Sequence, residues 1–332
     1  MQETFVFYAT APFRRLFDIA DQFNIWSLAG ALVFAALWHA LESPRRALSR
    51  AKAFFASALP REYLSNRSVR LDLKLFFANS ILMATGVFMQ VVSGAKVSGL
   101  VEGGLGGLFG PSPFLSQGGF ALSAAMSLGY LLLLDLAYWI AHWIMHRMPA
   151  LWEFHKLHHS AEILTPLTEW RQHPVELLLF PVSISIVLGA FYGVMGYLFG
   201  ETAQPLSWLG LNVLVLAFMF TTLHLRHSHL WLTGPRWLGH IIQSPAHHQI
   251  HHSDQPVHFD TNLGLFLSVW DWAFGTLYIP AEHEILNFGI GEEGHSHDGV
   301  FNAYWLPLLK FWRHASPPQP AKAEAPPALN RA

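Results

Sequence analysis

The stretch FALSAAMSLGYLLLLDLAYWIAHWIM, Phe120–Met145, decides the fold. It carries one acid, Asp135, and exceeds the roughly 20 residues that a helix needs to cross a bilayer. Four further apolar runs extend the pattern: Asn24–Leu41, Leu75–Val92, Leu177–Phe199 and Leu206–Leu223. A large soluble helical core is the alternative, but its helices keep a polar face, and these runs have none. The whole chain agrees: of 332 residues, 52% are hydrophobic and 13% charged, about half the charge of an ordinary soluble domain. The predicted fold class is all-α, an integral membrane helical bundle with a cytoplasmic helical cap.

Loop charge sets the expected orientation. The loop from Glu42 to Lys74 holds eight Lys or Arg, and the Gly-rich loop from Ser93 to Gly119 holds only Lys96. Positive charge marks the cytoplasmic side. The chain then reaches the cytoplasm again after Met145 and after Leu223. Residues 1–119 read as N-terminal membrane segments with the basic loop, and 120–280 as a catalytic domain. Residues 281–315 read as a cytoplasmic extension, and 316–332 as a Pro/Ala-rich disordered tail. No basic region with a small-residue cleavage site opens the chain, so no removable signal peptide is expected.

Lys plus Arg (20) nearly balance Asp plus Glu (22), so nothing calls for nucleic acid. The absence of cysteine excludes disulfides, thiolate nucleophiles and cysteine-ligated metal. The anomaly is 20 histidines, fifteen of them between His142 and His258. His142 and His146 stand four apart, on one face of the Phe120–Met145 helix. His155-x-x-His158-His159 and His248-x-x-His251-His252 repeat one pattern. His224, His227 and His229 follow the last apolar run.

Neutral imidazole is the commonest nitrogen ligand for iron, zinc, copper and nickel. In His-x-x-His-His, the first two share a face and the third turns about 100° away. One short helix then serves two metals, or one metal and its outer partners. Two such patterns and one His-x-x-x-His supply eight imidazoles, whereas one ion needs three or four. Two metals are therefore expected. Asp135, seven residues before His142, lies on the same face and is the expected carboxylate partner of a metal-bound imidazole. The lone His39, His240, His283, His295, His297 and His314 take the ordinary reading of surface or hydrogen-bonded residues.

The order of these boxes resembles the fatty acid hydroxylase / sterol desaturase superfamily of integral membrane enzymes. The likeness runs from about Asp135 to Tyr278. Asp135-Leu-Ala-Tyr138-Trp139 before His142 looks like the helix leading into the first box. Arg171-Gln-His173-Pro174-Val-Glu176 looks like the R-x-H-P-x-E segment, and His227-Ser228 like the isolated His–Ser. Ser244-Pro245-Ala-His247-His248-Gln-Ile-His251-His252 looks like the last box, and Trp270-Asp271-Trp-Ala-Phe274-Gly275-Thr276 like the segment downstream. Trp143, His229, His247 and Leu263 depart from the pattern, so His224, His229 and His247 stay open as further ligands.

The resemblance implies a non-haem di-iron oxygenase that hydroxylates or desaturates a lipid, with O₂ as co-substrate. Metal ligands would be His142, His146, His155, His158, His159, His227, His248, His251 and His252, with Asp135 and His173 in supporting roles. No dinucleotide fingerprint occurs, since Gly103-Gly104-Leu-Gly106-Gly107 follows no strand. Electrons would come from a separate protein, cytochrome b5-like or a ferredoxin with its reductase. A histidine-rich metal transporter would place acids or histidines within several spans, and 75–92, 177–199 and 206–223 hold none. A zinc-dependent membrane hydrolase would show a general-base Glu beside its ligands, as in H-E-x-x-H, and none is present.

Overall fold

The computed structural model describes residues 2–42, 63, 65–86, 91–112, 118–281 and 283–315. The expected disordered tail and most of the basic loop lie outside the described residues. The described chain is all-α apart from one two-residue hairpin. α1 (Gln2–Ala9), α2 (Ala11–Phe17) and α3 (Ile25–Glu42) lead into α4 (Arg67–Ala84) and α5 (Gly94–Phe109). α6 (Phe120–Arg147), α7 (Pro149–His159) and α8 (Glu176–Phe199) form the centre. β1 (Ser207–Trp208), β2 (Leu211–Asn212) and α9 (Val213–Met219) follow, then α10 (Pro245–His251), α11 (Val269–Phe274) and α12 (Gly299–Ala315).

Among the described residues, α6 and α8 are the two helices long and apolar enough to cross a membrane. They run antiparallel: Phe191 packs on Gly129, and Ser183 Oγ donates to the Ala137 carbonyl at 2.7 Å. Tyr138 stacks on Phe180 nearer the other end, with ring centroids 4.5 Å apart. The last turns of α6 and the first turn of α8 therefore share one end of the hairpin. Pro149 starts α7 immediately, as suits a residue with no N–H to satisfy.

Three expected elements differ. The span at Leu75–Val92 is α4, which begins at Arg67 and ends at Ala84. Its early turns carry Arg67, Arg70, Asp72 and Lys74, and buried Asp72 pairs with Arg171 at 2.8 Å. The Arg171 guanidinium also donates to Ser68, Leu157 and Ser160, tying α4 to α7. The Gly-rich loop is mostly α5, which lies parallel to α8. A Cβ on Gly189 would sit 2.7 Å from the Gly94 carbonyl, and one on Gly193 2.6 Å from that of Ser98. Glycines four apart let two backbones approach this closely.

The run Leu206–Leu223 is not one continuous helix. Leu209 and Gly210 take positive φ (54° and 77°) and turn the chain into the hairpin. The Leu206 N–H and the Asn212 amide then donate to Ser127 on α6. Only Val213–Met219 remains α-helical, capped by the Asn212 side chain. Its apolar face joins a core of Leu131, Leu134, Leu188, Leu216 and Phe266.

Candidate metal centre

All nine expected metal-ligating histidines are brought together at the shared end of α6 and α8. They form two groups whose ring nitrogens lie within 4.8 Å of one another. One holds His142, His146, His155, His159 and His251; the other holds His158, His227, His248 and His252. All are buried except His146, which is half-buried.

The His-x-x-His-His helices divide their ligands differently from the expected face. In α7, His155 and His159 enter the five-histidine group and His158 the other. In α10 and its C-cap, His248 and His252 enter the four-histidine group and His251 the other. Residues four apart are offset by about 40° around a helix, and residues three apart by about 60° the other way. The first and third histidines therefore pair, and the middle one points elsewhere. Gln249 holds α10 against the His227 loop by donating to the Ser228 and Leu230 carbonyls at 2.9 and 3.0 Å.

Outer hydrogen bonds fix the rings. Nδ1 of His142 lies 2.8 Å from the Leu263 carbonyl, and Nδ1 of His251 2.8 Å from that of Thr261. Nδ1 of His155 meets Glu176 Oε2 at 2.7 Å, and Nδ1 of His146 meets Asp260 Oδ1 at 3.1 Å. Nδ1 of His227 lies 3.1 Å from Glu169 Oε2. The partners of His142, His251, His155 and His146 accept, so each of these four imidazoles carries its proton on Nδ1 and a bare lone pair on Nε2; His227 Nδ1 has the Glu169 carboxylate beside it.

Those Nε2 atoms face one another. The pair in His142 and His155 is 3.0 Å apart, and Nε2 of His146, His159 and His251 has no partner. In the second group, His227 Nε2 lies 3.2, 3.0 and 2.9 Å from Nε2 of His158, His252 and His248. Two nitrogens bound about 2.1 Å from one ion at right angles stand about 3.0 Å apart. Converging lone pairs at that spacing fit a metal ion in each group. Burial, and then the neighbouring imidazoles, hold His159, His251 and His252 well below the ordinary value of 6.5. Such rings stay neutral, which is the state that ligates.

Three acids of this outer ring, Glu169, Glu176 and Asp260, were given no role from sequence, although Glu176 ends the R-x-H-P-x-E segment. Glu176 had a signal, as the acid that opens an otherwise apolar helix. Burial pushes the Glu169 carboxyl up, but Arg226 and His227 outweigh it and hold it well below the usual range. Asp260 and Asn262 take positive φ (58° and 54°), a conformation that Asp and Asn tolerate, and so turn the Thr261 and Leu263 carbonyls onto the histidines.

Two supporting residues sit elsewhere than expected. Asp135 touches no histidine; its Oδ1 accepts from the Leu265, Phe266 and Leu267 N–H groups. It anchors the loop whose Leu263 carbonyl orients His142, so its link is one step removed. His173 lies apart, with Nε2 donating to the Tyr304 carbonyl and Nδ1 accepting from the Val175 N–H. It locks α12 to the start of α8. Of the histidines left open, His224 bonds Ser27, His247 caps α10 through Ser244, and His229 packs on Tyr63. None belongs to either group among the described residues.

Two cavities lie near the centre. A cavity of about 580 Å³ opens beside His146, His159, His251 and His252, with Lys156, Asp254 and Glu293 on its wall. An apolar cavity of about 220 Å³ lies between α3 and the 232–247 segment, lined by Phe34, Trp38 and Phe218. It shares Thr222, Gln243, Ser244 and Pro245 with a narrow pocket that ends at Arg226 and His248.

Residues 127–276 match the model of the fatty acid hydroxylase family. An ornithine lipid hydroxylase of Rhizobium tropici is 31% identical over 160 residues, 48% of this chain and 44% of that protein. An alkylglycerol monooxygenase of Caenorhabditis elegans is 25% identical over 54% of this chain and 31% of its own length. A lathosterol oxidase of Mus musculus is 30% identical over 45% of this chain and 43% of its own. The chain thus spans less than half the length of these relatives. No solved structure matches it.

Proposed function

Because residues 127–276 match the fatty acid hydroxylase family model, we propose that this chain is a membrane-bound, di-iron, O₂-dependent lipid hydroxylase or desaturase. One observation carries the reading: nine imidazoles in two groups, with four outer nitrogens held by acceptors and the inner ones left to converge. Bound iron supplies the O₂ activation that oxidation of an unactivated C–H bond requires. Imidazole suits iron, zinc, copper and nickel alike, and the hydroxylase and monooxygenase activities in the names of the relatives call for a redox-active metal, which zinc is not.

The protein's own part is to hold and shield. Nine neutral ligands add no charge beside the ions. Glu169, Glu176 and Asp260 supply negative charge one bond further out and fix the ring orientations. In this reading the apolar cavity between α3 and the 232–247 segment receives the lipid chain, and the wider cavity walled by Lys156, Asp254 and Glu293 is the polar side of the centre. The positive-inside rule places that side in the cytoplasm. There a separate cytochrome b5-like or ferredoxin-like protein delivers electrons.

The test is mass spectrometry of lipids incubated with iron-loaded protein, an electron donor and ¹⁸O₂. A lipid that gains one labelled oxygen, or loses two hydrogens, is expected. Protein loaded with two irons that leaves every host lipid unchanged overturns the reading.

A further inference from the structure

Gln243 lines both the apolar cavity and the narrow pocket beside His248, and it is 4% exposed. Its place is fixed at two points. The backbone N–H donates to the Phe266 carbonyl at 3.0 Å, and the side-chain Nε2 donates to Asp271 Oδ2 at 2.8 Å. Asp271 is itself held by the Leu263 and Gly264 N–H groups, the Trp139 indole and the Thr276 hydroxyl. A carboxylate in that setting accepts only, so the amide cannot flip. The NH₂ end stays on Asp271 and the carbonyl end is the free one.

That carbonyl, Oε1, is buried and has no hydrogen-bond partner. Buried acceptors are nearly always satisfied, so an unmet one on a side chain that lines two cavities points to a donor supplied by a ligand. The surrounding wall gives the rest of the ligand its chemistry, because Phe34, Trp38, Phe218 and Leu265 take an apolar chain. Building on the lipid-oxidising reading, we propose that Gln243 is a specificity residue. Its Oε1 accepts a hydrogen bond from a hydroxyl or amide N–H on the lipid whose chain fills this cavity. The lipid thus carries a polar donor close to the carbon presented at His248, and a purely hydrocarbon or fully methylated analogue forfeits that bond.

Binding of probe lipids to detergent-solubilised, metal-loaded protein tests this without turnover. One arm compares hexadecan-1-ol with methyl hexadecyl ether. The other compares N-methylhexadecanamide with its N,N-dimethyl counterpart. Wild-type protein should bind at least one donor-bearing probe about tenfold more tightly than its methylated twin. The arm that shows the preference identifies the donor as hydroxyl or amide. Gln243→Leu should erase the preference and leave affinity for the methylated twin within about twofold, since Gly264 keeps Asp271 Oδ2 engaged. Gln243→Met serves if the leucine variant fails to fold.

A wild type that binds both members of each pair equally overturns the proposal, as does a metal-loaded Gln243 variant that keeps the preference. Failure of the lipid-oxidising reading shows instead in the ¹⁸O₂ experiment, which needs no probe binding.

Discussion

His155 Nδ1 lies 2.7 Å from Glu176 Oε2, and both side chains are sealed from solvent. The other Glu176 oxygen accepts from the His173 N–H at 2.9 Å. One carboxylate thus orients a metal-facing ring on α7 while it caps the start of α8. In Glu176→Gln, one of the two donors meets an NH₂ group and the bond fails. Product formation should fall about 10- to 100-fold, as for other outer partners of metal ligands. Circular dichroism should remain that of wild type. A variant with full activity would show that the Glu176 bond does not matter to the centre.

Alanine at His158 or His251 should abolish product formation, because each removes a converging nitrogen from a different group. His295→Ala should leave it intact, since that ring is exposed and pairs only with surface acids. Product assays and metal content on the three variants check this. Activity in His158→Ala would sink the ligand assignment.

Metal-stripped protein should lose stability as the medium becomes acidic. His158, His159, His248, His251 and His252 are held well below 6.5 by burial and then by nearby charged or imidazole groups. Below 6.5 the unfolded chain takes up protons that the folded chain refuses, so stability falls with pH. Each ring withdraws about 1.4 kcal/mol per pH unit until it titrates in the folded state. The melting temperature of chelator-treated protein should therefore drop steeply between about pH 7 and pH 5. A flat profile would mean that these rings are not buried together.

Gly193→Leu should separate α5 from α8, because a Cβ there already meets the Ser98 carbonyl at 2.6 Å and Val101 at 2.7 Å. Gly104→Ala meets nothing within 4 Å and should be silent. Thermal stability in detergent distinguishes the two. Equal stability of both variants would contradict the close helix contact.

The two histidine groups were legible because a donor type and its spacing along a helix are local properties. His142 with His146, and the two His-x-x-His-His patterns, needed no tertiary knowledge. The two long helices were legible for the same reason, since length and apolarity are written in one segment. What escaped depends on partners distant in sequence. Asp260 approaches His146 across 114 residues, and Asp135 reaches the Phe266 N–H across 131. The α5 helix was hidden because its glycines argue for a loop until Gly189 and Gly193 present a matching surface. The hairpin at Leu209–Gly210 was hidden within residues whose hydropathy alone suits a span.

The division of ligands in α7 and α10 carries one more consequence. Each short helix contributes two histidines to one group and a third to the other, and the two helices do so in opposite senses. Neither group is complete until both helices are docked. An ion captured by one group therefore spends its binding energy immobilising ligands of its neighbour, and the second ion meets a site whose ordering cost is already met. Metal loading is therefore expected to be cooperative, with half-filled molecules scarce beside empty and doubly filled ones.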